Sequence, residues 1–258
     1  MTSRYIGLNG IPNRAWLSWL VERFVATGEH LNGLQLGVGV LTSPKMLNGV
    51  PSRNAASWPS KEAIADIIIT LPFVFNILHF VDHGPLTDLQ ALEEASLAAG
   101  DALDALQLDM VWPDPVIVRE FADANDHLRV ILSLGTEARA RIDDDAETLI
   151  ERLKPYEDAL SDVVLDQSGN PASAMNAALL EPLIYEIRAR RPDLGVTIAG
   201  ALDKGMLRAI EPLIRKFPGL SIDAGAAFAT DAPGREDDDS LGLSDHLVRA
   251  AELFRHCT

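Results

Sequence analysis

Cysteine is nearly absent. The one copy in 258 residues, Cys257, lies beside the C-terminus, which excludes an internal disulfide and offers no cysteine metal site. Basic residues are scarce: 22 Lys and Arg stand against 38 Asp and Glu, a net charge of −16. A field of that sign repels phosphodiester backbones and anionic lipid, so neither nucleic acid nor a membrane surface is an expected partner. A local basic cluster could still hold a small phosphorylated ligand. Long hydrophobic runs are missing too. The most apolar stretch, Ile67 to Val81, has 15 residues and is interrupted by Thr70, Pro72, Asn76 and His79, whereas a membrane span takes roughly 20 mostly apolar residues. The N-terminal residues carry no apolar core of a secretion signal, so the expected location is the cytoplasm. No low-complexity linker or composition shift divides the chain, and one domain over 1–258 is expected.

Ordinary globular composition remains, with 47% apolar and 23% charged residues. Short β-rich runs begin at Arg4, Leu34, Phe73, Asp104, Leu128, Ser161, Leu194 and Leu220, an average spacing of about 31 residues, the size of a strand–helix unit. Most are apolar almost throughout rather than alternating, as in parallel strands covered on both faces. Between them lie helical segments. LTDLQALEEASLAAG has Thr87 as a candidate N-cap and Gly100 as its stop; DPVIVREFADAN has Asp114 as cap and Pro115 at the first helical position; DDDAETLIERL opens with acids. Eight such units in this length predict an α/β fold of the (β/α)8 TIM-barrel type. The rival, a doubly wound open sheet, usually has fewer strands, and the first strand lacks the G-x-G-x-x-G turn of dinucleotide-binding folds. The long connection from Thr42 to Thr70 reads as a functional loop.

Active sites of such barrels lie at the C-terminal ends of the strands. Polar residues close nearly every strand here: Asn9, Ser43 with Lys45, Asn76 with His79, Gln107 with Asp109, Ser133, Asp166, Gly200, and Asp223 with Gly225. Gln107 and Asp109 are two apart and share a face, whereas Asn76 and His79 are three apart and point to opposite sides of a strand. Each has a plainer reading beside its functional one: a turn cap for Asp166, a side-chain-to-backbone bond for Asn9, a satisfied core position for His79, a solvated lysine for Lys45. Asp109, Asp166, Asp223 and His79 could gather around a divalent cation, but no short ligand-spacing motif supports a metal, and none is expected.

Six segments, in order on barrel positions, resemble phosphoribosylanthranilate isomerase. GLNGI (7–11) falls at that family's first-strand K-I-C-G-I, LGVGVLTSPK (36–45) at its second-strand S-P-R, and ALQLDM (105–110) at Q-L-H-G. VVLDQSG (163–169) matches the sixth strand ending in Asp, TIAGAL (197–202) the seventh-strand L-A-G-G-L, and SIDAGAAF (221–228) the eighth-strand D-V-S-S-G. The resemblance implies a barrel that isomerises an aminoaldose phosphate with a cysteine base and an aspartate acid. It places Asp166 at the aspartate and Asn9 at the cysteine, and Lys45 at an arginine that holds substrate. Gly200, Ala201, Gly225 and Ala226 fall at the phosphate loops. The departures matter. An amide has no proton to exchange near neutral pH, lysine lacks the bidentate fork, and lost glycines hinder close backbone approach to phosphate. Asp109 stands where the family has histidine, and four acids, Glu236 to Asp239, sit near the anion site.

The resulting expectation is an acid–base barrel acting on a small phosphorylated, sugar-like or carboxylate metabolite. Asp166, Asn9, Asp109 and His79 are the candidate catalytic residues. Lys45, Ser43, Gln107, Asn76 and Asp223 are the candidate substrate contacts. No cofactor is implied, the partner is a small molecule, and a homodimer is left open. The alternatives are a lyase or aldolase, and a barrel that binds its metabolite without turning it over.

Overall fold

Each apolar run becomes a strand that starts one residue into it. In the computed structural model, which describes residues 4–52, 57–84, 86–167, 175–201, 204–225 and 240–255, the strands are β1 (Tyr5–Asn9), β2 (Gln35–Thr42), β3 (Val74–Val81), β4 (Ala105–Asp109), β5 (Arg129–Leu134), β6 (Asp162–Asp166), β7 (Gly195–Ala201) and β8 (Ser221–Gly225). All pair in parallel in chain order, and β8 pairs with β1, closing the sheet into a (β/α)8 barrel. Helices follow the strands on the outside, as right-handed parallel crossovers require. Among the described residues no helix is long and apolar enough to cross a membrane.

The helix caps follow local chemistry. Asp114 accepts a hydrogen bond from Val116 N with Pro115 at the first position, and Asp145 accepts from Thr148 N. Thr87 is not the cap expected of it. Asp88 caps that helix by accepting from Gln90 N, and the Thr87 hydroxyl accepts from Asp114 N instead, tying two βα loops together. The connection after β2 contains two short helices, Pro44–Leu47 and Lys61–Ile67.

Side chains on the outer strand face, such as Ile6, Leu8, Leu36 and Val38, pack against helix residues that include Trp16, Leu17, Leu20 and Phe24. Each fully buried side chain of this size contributes roughly 1.5–3 kcal/mol of transfer free energy. The barrel interior has a separate core: Tyr5, Phe75, Ile77, Ala105, Ile131, Val164 and Ala199. The Tyr5 ring lies 5.2 Å from that of Phe75, and its hydroxyl accepts from Thr197 Oγ1 at 2.9 Å. At the N-terminal end Arg129 stacks 4.4 Å over Phe75 and grips Asp162 through Nε at 3.1 Å and Nη2 at 2.6 Å. Burial pushes the Asp162 carboxyl up, and Arg129 opposes that. This end of the barrel is therefore packed.

Tyr5 is large for a barrel of eight strands, and glycines make its room. A Cβ on Gly37 would sit 2.7 Å from the Tyr5 ring and 2.9 Å from the Gly7 Cα. One neighbour is backbone and the other is wedged in the core, so neither gives way cheaply. Gly37→Ala is expected to destabilise the protein by roughly 1–3 kcal/mol through overpacking, read as a lower urea midpoint with unchanged m-value. Unchanged stability would mean the strands separate more readily than this packing implies.

Candidate active site

Beyond the Tyr5 layer the barrel opens into a cavity of about 400 Å³ at the C-terminal ends of the strands. Alternation decides what enters it: the inward parity of β1, β3, β4, β6 and β8 carries Asn9, His79, Gln107, Asp109, Asp166 and Asp223, and all six line the cavity. Ser133, Gly200 and Gly225 line it as well. His79, Gln107 and Asp223 are almost wholly buried, whereas Asn9 and Asp166 are half-buried. The deep groups therefore sit in a less polar environment than the rim.

The strand register sets His79 beside Gln107. His79 Nδ1 lies 3.2 Å from Asp109 Oδ2, and Gln107 Nε2 donates to Asp109 Oδ1 at 2.9 Å. Gln107 Nε2 is also 3.0 Å from His79 Nδ1. Nδ1 cannot give a hydrogen to Asp109 and accept one from Gln107 at once, and the charge on Asp109 decides for the first. Burial alone would lower the His79 pKa. The hydrogen bond and charge of Asp109, with the charges of Asp223 and Asp166, outweigh it and hold the imidazole above its ordinary value. The other ring nitrogen, Nε2, is buried with no hydrogen-bond partner among the described residues. A Cβ on Gly39 would come within 2.7 Å of it, so that glycine admits the ring.

Asp223 is held from the other side. Asn9 Nδ2 donates to its Oδ2 at 3.1 Å, and a Cβ on Gly7 would lie 2.6 Å from its Oδ1. Burial pushes the Asp223 carboxyl above the usual range. The charges of Asp109 and Asp166 add to that push, against the pull of His79 and the Asn9 hydrogen bond. A raised imidazole and a raised carboxyl on the walls of one cavity mark it as a candidate site for acid–base work.

Three expected contacts lie elsewhere. Asn76 sits near the N-terminal end of β3 on its outward face. Its amide donates to Ile69 O at 2.7 Å and Ala102 O at 2.9 Å, and its backbone N–H to Asp104 Oδ2. Its place as a substrate contact is corrected to a structural clamp. Ser43 caps the Pro44–Leu47 helix by accepting from Met46 N, and Lys45 on that helix is exposed; neither lines the cavity. No described residue of the 42–70 connection does so either, contrary to its reading as a functional loop. Ala201 ends β7, and Ala226 lies outside the described residues. Sequence reading missed His83, Thr136 and Glu137, which line the rim from the segments after β3 and β5. Their only signal is position just after a strand. Among the described residues no group of three or more His, Cys, Asp or Glu is arranged to hold a metal ion.

No protein-family model and no curated protein matches the sequence. Solved structures do match in shape. A protein from Anabaena variabilis ATCC 29413 assigned as a sugar phosphate isomerase/epimerase superposes with a TM-score of 0.53 at 11% identity, over 100% of both chains. The N-terminal domain of a protein from Bacteroides vulgatus assigned as an aldolase gives 0.54 at 12% identity, over 98% of this chain and 86% of that one. Ribulose-1,5-bisphosphate carboxylase/oxygenase from Pyrococcus horikoshii OT3 gives 0.56 at 10% identity, over 97% of this chain but only 58% of that chain's length. What these likenesses share is the barrel.

The two raised groups bear on stability. An Asp223 pKa above its unfolded value of about 3.9 gives stability that is present below that pH and lost as pH rises through the folded value. For His79 the same sign applies from about 6.5 upward. Asp223→Asn, which removes a buried charge and keeps the shape, is therefore expected to raise stability at pH 7 by on the order of 1 kcal/mol. Its margin over the parent protein should shrink toward pH 4. A margin independent of pH in chemical denaturation would show that Asp223 keeps an ordinary pKa.

Proposed function

We propose that this barrel isomerises or epimerises a small hydroxylated carbonyl metabolite by proton transfer across the cavity. The observation that carries the reading is the buried, unpartnered His79 Nε2, set on an imidazole whose other nitrogen is held by Asp109. With Nδ1–H directed to Asp109, a protonated ring presents Nε2–H to the cavity. Nε2–H protonates the substrate's carbonyl oxygen while the Asp166 carboxylate takes the proton from the adjacent carbon, giving an enediol. Returning the proton to the neighbouring carbon, as the other hydroxyl gives its hydrogen back to Nε2, completes the isomerisation. Asp109 is a positioning residue, because it fixes the ring's hydrogen and stabilises the imidazolium. Gln107 in turn orients Asp109.

The resemblance to phosphoribosylanthranilate isomerase supports the reaction type, with Asp166 in the matching place. It gives less support for that family's substrate. Asn9 stands at the base position with its amide nitrogen on Asp223, and Lys45 does not line the cavity. One neighbour of the same fold is assigned as a sugar phosphate isomerase/epimerase, which is the kind of activity proposed. A lysine Schiff-base aldolase would need an amine that is absent among the described lining residues. The second reading, a barrel that binds its metabolite without turnover, is favoured by the tied-down amide at Asn9.

Proton transfer at carbon leaves an isotopic trace. In D2O, aldoses and ketoses of three to six carbons, offered with and without phosphate, are expected to include one that gains deuterium beside its carbonyl when incubated with the protein. His79→Gln should slow that exchange by about 10²-fold or more, and Asp109→Asn should slow it too and shift its pH profile. Ligand binding with no exchange favours the non-catalytic reading. Exchange undiminished in His79→Gln would remove the histidine from the mechanism.

A further inference from the structure

The cavity's polar groups are turned so that it mostly accepts hydrogen bonds. Two amides line it, and each gives its nitrogen to a carboxylate: Asn9 Nδ2 to Asp223 Oδ2 at 3.1 Å, Gln107 Nε2 to Asp109 Oδ1 at 2.9 Å. With both carboxyls ionised these orientations are favoured, because a carbonyl at either distance would face a carboxylate oxygen. The Gln107 carbonyl is left for a ligand. Gln107 Oε1, on a residue 3% exposed, is buried with no hydrogen-bond partner among the described residues. Three aspartates and Glu137 line the same space, while no Lys or Arg does so among the described residues. Of the basic side chains nearby, His79 meets Asp109, and Arg141 meets Glu137 at 2.8 Å.

We propose that the ligand of this cavity bears an ammonium group, as an amino sugar or amino polyol does, and that Gln107 Oε1 and the Asp223 side chain receive that group. An ammonium brings three donors and one positive charge, which matches an unpartnered carbonyl beside crowded carboxyls. A phosphate or carboxylate brings only acceptors and negative charge to walls whose one unpartnered donor, His79 Nε2–H, is given to the substrate's carbonyl oxygen in the reading above. Against buried groups such as Gln107 and Asp223 that mismatch leaves acceptors facing acceptors, which costs more than a missing contact. The inference names the substrate class of the site proposed above and rests on that reading for the location, but not for the chemistry.

Calorimetric titration of the full chain at pH 7 with glucosamine, glucose, N-acetylglucosamine and glucose 6-phosphate tests it. Glucosamine is expected to bind at least about tenfold more tightly than glucose, the low end of what a charge-assisted hydrogen bond contributes. N-acetylation, which keeps the nitrogen but removes its charge, should abolish the preference, and glucose 6-phosphate should bind most weakly. Asp223→Asn should cut the preference of glucosamine over glucose to about threefold or less. Equal binding of glucosamine and glucose, tighter binding of the phosphate, or no binding of glucosamine at ten millimolar overturns the proposal. Those results leave the proton-transfer reading untouched, since it fails only on the deuterium measurement.

Discussion

Room on the β1–β2 side of the barrel is the constraint behind most of the site. Tyr5 projects a full phenol ring into an eight-stranded interior, where Gly37 stands against both that ring and the Gly7 Cα. Gly7 also leaves space for the Asp223 carboxyl, and Gly39 for the His79 imidazole. A methyl group at any of the three positions would meet a ring, a carboxyl or backbone at 2.9 Å or less. The same small residues thus let a large side chain plug the barrel's centre and let two titratable groups sink into the wall above it. Their burial then shifts their proton affinities, because a low-dielectric wall penalises charge unless a partner compensates it. His79 has that partner in Asp109. Asp223 has Asn9 and two more carboxylates nearby, and its balance runs the other way.

The fold was legible because its signal is redundant. Parallel barrel strands are covered on both faces, so they read as continuous apolar runs, and each observed strand begins one residue inside the run that announced it. Caps were legible where one residue type could serve, as at Asp114 followed by Pro115. They failed at Thr87–Asp88, where two capping residues adjoin and the hydroxyl is claimed by a loop from the next unit. That claim is tertiary, and no local pattern carries it.

The site was legible in its residue types and less so in its placement. Gln107 and Asp109 share a face by simple alternation, and His79 and Asn76 oppose one another by the same rule. Which of the latter two faces inward is set by register against β2 and β4, which the isolated segment FNILH does not contain. Asn76 was also misplaced along the axis: β3 is eight residues long, and its third residue lies near the floor. Lys45 and Ser43 follow the second apolar run and were placed at the mouth for that reason, but a helix begins at Pro44, and Lys45 is exposed on it. The alternating glycines of LGVGV were in plain view. Their meaning depends on what projects from the neighbouring strands, Tyr5 for one and His79 for the other.

Asn9 joins these threads. Framed by Gly7 and Gly10, it occupies the position where the family it resembles keeps a base. Gly10 takes a φ of +83°, a turn that a side chain would strain, and Gly7 keeps Asp223 within reach. An amide there cannot move a proton, but it can hold a carboxyl, and it does so through Nδ2. Across the cavity, on β3 and β4, a histidine and an aspartate adjoin by register, with Asp166 on β6 and Asp223 on β8 lining the same space. On β1 an amide orients the β8 carboxyl, and on β4 an aspartate takes the histidine of the neighbouring strand as its partner. The histidine, glutamine and aspartate at the open end thus form one hydrogen-bonded set, and the amide and carboxyl of β1 and β8 form a second on the facing wall.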